Sequence, residues 1–233
     1  MKYWNNLAEN IQSLLLDGYC FLPAIKDVFP LDDIFKQCER EIGNRTYAEN
    51  LEAHRKFLLD SGISSVLSPA LFEFARDSLG YQGSEDNQYN VSRLVRPGDL
   101  SEGYRGHFDS HLITLVMPIK IPVGEKVDKT GNLLFYPAAR REPRNEISNF
   151  AGKLNFKRYA NEAGFDRLAQ TCQPKVASFE DSRPLLFLGR QTFHGNMPLE
   201  ASLNSCRLTL LTHFFDPSPP WGIGAFLRMI RAR

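Results

Sequence analysis

The sequence predicts a mainly β fold with flanking helices: a double-stranded β-helix, or cupin-like jelly roll, with N-terminal helices and a helical lid insertion. Three observations point there. Leu7, Ile11, Leu14 and Leu15 recur at helical spacing near the start. From Tyr89 the texture changes to short apolar, β-branched runs punctuated by Pro and Gly. One long stretch, Arg140 to Gln173, interrupts those runs without strand character.

Taken in order, the first helix breaks at Asp17-Gly18 and gives way to a short strand, Tyr19 to Leu22. Leu31-Asp32-Asp33-Ile34-Phe35 opens a second helix, and a third runs from about Pro69 to Leu79. The candidate strands that follow are Tyr89–Arg96, Tyr104–Phe108, His111–Ile121, Leu133–Tyr136, Val176–Phe179, Leu185–Gly189, Thr192–His194 and Arg207–Phe215. Eight short strands after a helical lead-in fit a double-sheet jelly roll better than alternating βα units. The insertion carries a helix around Phe156–Gln170, and an insertion of this length is a candidate lid or binding loop.

Beyond Pro217–Pro220, Ile223, Phe226, Leu227 and Ile230 align at helical spacing while Arg228 and Arg231 fall elsewhere. Such a cationic amphipathic segment suits docking on its own domain, pairing in a homo-oligomer, or resting on an anionic membrane. We read one domain: helical support over 1–88, a jelly-roll core over 89–215 with its insertion over 140–173, and a tail over 216–233.

At 233 residues the chain is long enough to bury one substantial core. Lys and Arg number 28 against 27 Asp and Glu, so no net charge calls for a nucleic-acid partner. The charge is nonetheless uneven. Arg140 to Lys175 is locally basic, and Trp221 to Arg233 holds three Arg and no acid. Cys20, Cys38, Cys172 and Cys206 form no CxxC pair, which suits reduced thiols rather than a disulfide framework. The N-terminus lacks the apolar core and cleavage site of a signal peptide, and no apolar run spans a bilayer, so a cytoplasmic protein is expected.

The chemistry-bearing residues are His107-Phe108-Asp109, the distal His194-Gly195, and Arg207-Leu208-Thr209. Two imidazoles and a carboxylate can hold one face of a mononuclear non-haem iron and leave the opposite positions open. His107 and Asp109, two apart, would share one face of a strand. Arg207 and Thr209 share a face of the final strand, where a guanidinium and a hydroxyl could jointly hold one carboxylate. Leu208, Leu210 and Phe214 take the other face, so the alternation carries Arg207 into the barrel. A buried cation there is costly unless an anion meets it. A structural ion pair for Arg207 is the competing explanation.

These residues carry a family resemblance. The segments Leu94-Val95-Arg96-Pro97-Gly98-Asp99, His107-Phe108-Asp109, the strand from His111 and Gly131-Asn132-Leu133-Leu134-Phe135-Tyr136-Pro137 resemble the Fe(II)/2-oxoglutarate-dependent oxygenases. Phe193-His194-Gly195 and Arg207-Leu208-Thr209 follow in the same order, so the resemblance spans roughly Tyr89 to Phe215. It looks closest to the prolyl-hydroxylase-like and phytanoyl-CoA-hydroxylase-like branches, and Tyr19-Cys20-Phe21-Leu22-Pro23 is similar to the N-terminal strand of the latter.

The resemblance implies that His107, Asp109 and His194 bind Fe(II), and that Arg207, with Thr209, holds the distal carboxylate of 2-oxoglutarate. Tyr89, Asn90 and Arg93 lie where the family often binds the keto-acid end. Related halogenases lack the carboxylate ligand; Asp109 therefore implies oxygen insertion rather than halogenation. The expected reaction consumes O2 and 2-oxoglutarate, hydroxylates a small or medium-sized metabolite, and releases succinate and CO2. The basic residues Arg140, Arg141, Arg144 and Arg190 are candidate contacts for an anionic or lipid-linked substrate. Two other readings stand beside this one: a cupin-like metal enzyme that uses no 2-oxoglutarate, and a non-catalytic jelly-roll binding module. His111 is weighed as an extra ligand, His213 as a core histidine, and His54 as a solvated one.

Overall fold

The computed structural model describes residues 2–122, 130–200 and 205–218. Four helices come first: α1 (Leu7–Asp17), α2 (Leu31–Ile42), α3 (Glu52–Asp60) and α4 (Ser68–Leu79). Helix α1 stops where Gly18 adopts φ 78° and returns its N–H to the Leu14 carbonyl, a left-handed conformation that glycine tolerates best. Helix α2 carries Asp32 and Asp33 in its first turn, against the positive end of the helix dipole, and buries Ile34, Cys38 and Ile42 in one stripe. Among the described residues no single helix is long and apolar enough to cross a membrane.

Nine strands follow or intersperse: β1 (Tyr19–Phe21), β2 (Tyr47–Glu49), β3 (Gln88–Val95), β4 (Ile113–Lys120), β5 (Leu133–Tyr136), β6 (Lys175–Ala177), β7 (Leu185–Leu188), β8 (Phe193–Asn196) and β9 (Arg207–Phe214). They form a six-stranded sheet in the order β1-β7-β4-β9-β3-β2 and a three-stranded sheet in the order β6-β5-β8. Every pairing is antiparallel. This is the two-sheet β-helix that the strand spacing predicts.

The central strands β4 and β7 of the large sheet are buried on both faces, so they read as near-continuous apolar runs. One face, with Leu94, Leu115, Met117, Leu186, Leu208, Leu210 and Phe214, packs under the helices. The other, with Val116, Leu185 and Phe187, meets Leu133, Phe135 and Ala177 of the small sheet. Between β5 and β6 the lid contributes α5 (Glu146–Phe156) and α6 (Glu162–Ala169), which cover a third cluster of Phe108, Tyr136, Phe165, Leu168 and Phe193.

Several elements differ from expectation. Tyr104–Phe108 is not a strand: Tyr104 takes φ 52°, and only His107 bridges across, to His194. The strand predicted from His111 starts at Ile113, and the one predicted to reach Phe179 ends at Ala177, with Phe179 at φ 58°. The lid holds two helices rather than one, because Asn145 and Asn161 each cap a separate start with a side-chain oxygen. The N-terminal part has a second strand, β2, too short to leave a periodicity. His54 is buried rather than solvated. The amphipathic tail predicted over Trp221–Arg233 lies outside the described residues.

Candidate metal centre

His107 and Asp109 sit on an extended segment that passes from one sheet to the other. The backbones of His107 and His194 exchange both hydrogen bonds, at 2.9 and 3.0 Å, which fastens His107 to β8. Two residues on, the Asp109 N–H donates to the Gly189 carbonyl at 3.0 Å, at the end of β7. The chain can come this close because residue 189 has no side chain: a Cβ there would lie 2.8 Å from the His111 carbonyl and 3.0 Å from Asp109 Cβ.

The three side chains converge. Asp109 Oδ1 lies 3.6 Å from His107 Nε2, Asp109 Oδ2 lies 3.7 Å from His194 Nε2, and the two imidazole centroids are 4.4 Å apart. One ligand atom from each falls within 4.8 Å of the others. Both histidines direct Nδ1 at a backbone carbonyl, His107 at Arg105 (2.9 Å) and His194 at Thr192 (3.1 Å). Donation from Nδ1 fixes the tautomer and leaves the Nε2 lone pair for a metal.

The electrostatics agree with the geometry. Burial pushes the His194 pKa down to about 4, so the ring is neutral near pH 7, as a ligand must be. Burial works against a charge on Asp109, but the imidazoles of His194, His213 and His107 outweigh it and hold the carboxyl well below its ordinary range. Thr114 Oγ1 donates to Asp109 Oδ2 at 2.5 Å, and His213 Nδ1 lies 3.6 Å from the same oxygen. This donor set of two neutral imidazoles and one ionised, hydrogen-bonded carboxylate fits a divalent iron.

Arg207 is the largest fully buried side chain and lies at the start of β9, facing the barrel interior. Its Nη1 donates to the Gly131 carbonyl, while Nε and Nη2 have no hydrogen-bond partner. Among the described residues no carboxylate pairs with it. Burial and the nearby Arg93 charge push its pKa well below the usual guanidinium range. Burying a guanidinium with two unpartnered nitrogens is costly unless an anion meets it.

Thr209 is buried on the same face, directly opposite Arg93 of β3. Arg93 pairs with buried Glu102 at 2.5 Å and also donates to Asn196, whose own amide donates to Gly131 O. Tyr89 also faces inward, opposite His213, and its hydroxyl donates to Glu49. Asn90 does not join them. It pairs with Thr212 on the helix-facing side, where its side-chain oxygen accepts from Gln88. Strand parity forbids residues 89 and 90 from facing one cavity.

The basic lid residues divide. Arg140 donates to the Arg190 carbonyl and to Asn149, and lies 3.9 Å over the Phe108 ring; burial and Arg190 push its pKa down to about 10. Arg190 is buried and ion-paired with Glu142 at 2.9 Å. Both are therefore braces between lid and barrel, not free anion contacts. Arg141 and Arg144 are exposed. His111 packs beside Tyr89, with centroids 6.0 Å apart, and is not in the triad.

Thr114, Gly189 and Glu102 escaped the sequence reading, whereas His213 lies inside the barrel, as expected of a core histidine. Of those missed, Thr114 alone left a signal: apart from the terminal Lys120 it is the polar residue of an apolar strand, on the parity that faces the barrel.

Neither a known family profile nor a curated protein matches the sequence. Solved structures do. A Pseudomonas putida prolyl-4-hydroxylase superposes with a TM-score of 0.51 at 14% identity, over 90% of this chain and 98% of that one. The SnoN epimerase in complex with Fe3+, alpha ketoglutarate and nogalamycin RO gives 0.55 at 13% identity, over 95% and 88%. AviO1 from Streptomyces viridochromogenes Tue57 gives 0.54 at 16% identity, over 91% and 96%. By its fold, the chain is a double-stranded β-helix protein of the architecture seen in these prolyl-hydroxylase and alpha-ketoglutarate-dependent enzyme structures.

Proposed function

We propose that the chain is an Fe(II)- and 2-oxoglutarate-dependent oxygenase that hydroxylates a small or medium-sized metabolite in a reducing, cytoplasmic setting. The observation that carries this reading is the pairing of a preorganised His107–Asp109–His194 cluster with a buried Arg207 that meets no carboxylate among the described residues. A metal enzyme working without 2-oxoglutarate would leave the Arg207 cost unexplained.

His107, Asp109 and His194 would hold the iron, which when bound supplies the activation of O2 that no protein side chain can. The protein's own part is orientation. Neutral His194, with Nδ1 fixed by Thr192, presents Nε2, and the surrounding imidazoles hold the Asp109 carboxyl well below its ordinary range. Arg207 and Thr209 would receive the far carboxylate of the co-substrate, the guanidinium as a charge-assisted donor. Arg93 shares the Glu102 carboxylate with Arg105, so this cluster keeps a net positive charge beside Arg207. The lid cluster of Phe108, Phe156, Phe165 and Phe193 keeps water from one wall of the site. The free thiols Cys20 and Cys38, both pushed up to about 12 by burial, suit a reducing compartment.

Succinate release dependent on both Fe(II) and 2-oxoglutarate tests the proposal, with mass spectrometry for metabolites that gain one oxygen as the parallel readout. Wild-type protein should release succinate, and Asp109→Ala should not. Failure of the wild type to take up Fe(II) or Mn(II) stoichiometrically under anaerobic titration would overturn it.

A further inference from the structure

Helix α5 of the lid is amphipathic with its faces exchanged. Asn149, Lys153 and Phe156 face the barrel. Asn149 accepts from Arg140 at 2.7 Å, Lys153 Nζ donates to Ser110 Oγ at 2.9 Å, and Phe156 meets Phe108 with centroids 4.8 Å apart. The opposite stripe, spaced three and seven residues apart, holds Ile147, Phe150 and Leu154 at 71%, 55% and 62% exposure. Because the inward residues are fixed to the barrel, the helix cannot roll to hide that stripe.

The surroundings of the stripe are cationic. Arg141 and Arg144 stand exposed just before α5, and Lys157 and Arg158 just after it. Of the two acids between them, Glu142 is committed to Arg190. A convex helix presenting large apolar residues within a basic rim matches the interfacial zone of an anionic bilayer.

We propose that α5 docks the protein on an anionic lipid surface, with Ile147, Phe150 and Leu154 entering the headgroup–acyl boundary and the four flanking cations meeting lipid phosphates. Charge decides against the other occupants. A second copy would bring the same cations against these, and the chain's own tail from Trp221 to Arg233 holds three Arg and no acid. The helix is also convex, whereas a partner helix needs a groove. Since α5 contacts Ser110 and Phe108 on either side of Asp109, docking would turn this wall of the site toward the bilayer.

Co-sedimentation of the full chain with phosphatidylcholine vesicles, with and without phosphatidylglycerol, tests the proposal. Wild type should bind the anionic vesicles at least about tenfold more tightly and lose that binding as salt rises. The combined Ile147→Ser, Phe150→Ser, Leu154→Ser variant should bind at least about tenfold more weakly than wild type. Phe150→Trp should shift to the blue on anionic vesicles and be quenched by brominated acyl chains, a readout that stands if the triple variant fails to fold. Three results would overturn the proposal: no vesicle binding by wild type, unchanged emission from the Trp probe, or unchanged binding by a folded triple variant. Loss of binding only in Arg228→Gln, Arg231→Gln, Arg233→Gln would transfer the contact to the tail. Loss of a dimer instead of vesicle binding, seen by light scattering in the triple variant, would transfer it to a second copy.

Discussion

Thr114 donates its hydroxyl hydrogen to Asp109 Oδ2 at 2.5 Å, and the same hydroxyl lies 3.1 Å from His213 Nδ1. One carboxylate oxygen is thereby occupied, and Oδ1 is left pointing toward His107 Nε2, 3.6 Å away. The bond links the start of β4 to the acidic member of the triad.

Thr114→Val keeps the side-chain shape and removes that donor. We expect metal affinity to fall about 10- to 100-fold, the usual cost of losing a group that orients a ligand. Anaerobic Mn(II) titration measures it. An unchanged affinity would mean that the backbone bond from Asp109 to Gly189 suffices to orient the carboxylate.

Arg207→Met separates stability from function. A buried guanidinium with two unpartnered nitrogens costs more than an apolar side chain of similar length. The variant should therefore be as stable as wild type in the absence of co-substrate, or more stable by roughly 1–4 kcal/mol. Wild type with Mn(II) should gain melting temperature on adding 2-oxoglutarate, and the variant should not. A variant still stabilised by 2-oxoglutarate would show that Arg207 does not hold it.

His54 should make the fold acid-sensitive. Both its nitrogens meet hydroxyls, Ser92 Oγ at 3.2 Å and Thr212 Oγ1 at 3.3 Å, and burial lowers its pKa from 6.5 to about 3. Between those values the unfolded chain binds a proton that the folded chain refuses, so stability is full above pH 6.5 and lost as pH falls toward 3. The slope from this one group is at most about 1.4 kcal/mol per pH unit. Urea titrations of wild type and His54→Gln across this range measure the difference. Parallel acid limbs would remove His54 as the cause.

Much of this was legible in the chain. The apolar run Leu133–Tyr136 and the alternating segment Arg207–Phe214 read directly as strands. Parity on β9 carried Arg207 and Thr209 to the barrel side and Leu208 and Leu210 to the helices. Parity on β3 would equally have excluded Asn90 beside Tyr89. Composition read Arg140 and Arg190 as loose lid charges, since sequence spacing does not show that Glu142 and Asn149 fold back onto them.

The sequence by itself determined the order of strands, the residue types of the triad and the inward position of Arg207, all consequences of local period and chemistry. Tertiary structure alone decided what those residues meet. The close approach of Asp109 to Gly189, the neighbouring His213 and the contact of Arg207 with Gly131 depend on strands distant in sequence packing together. Such contacts are set by how two sheets close on each other, and no periodicity along one strand encodes the gap left between them.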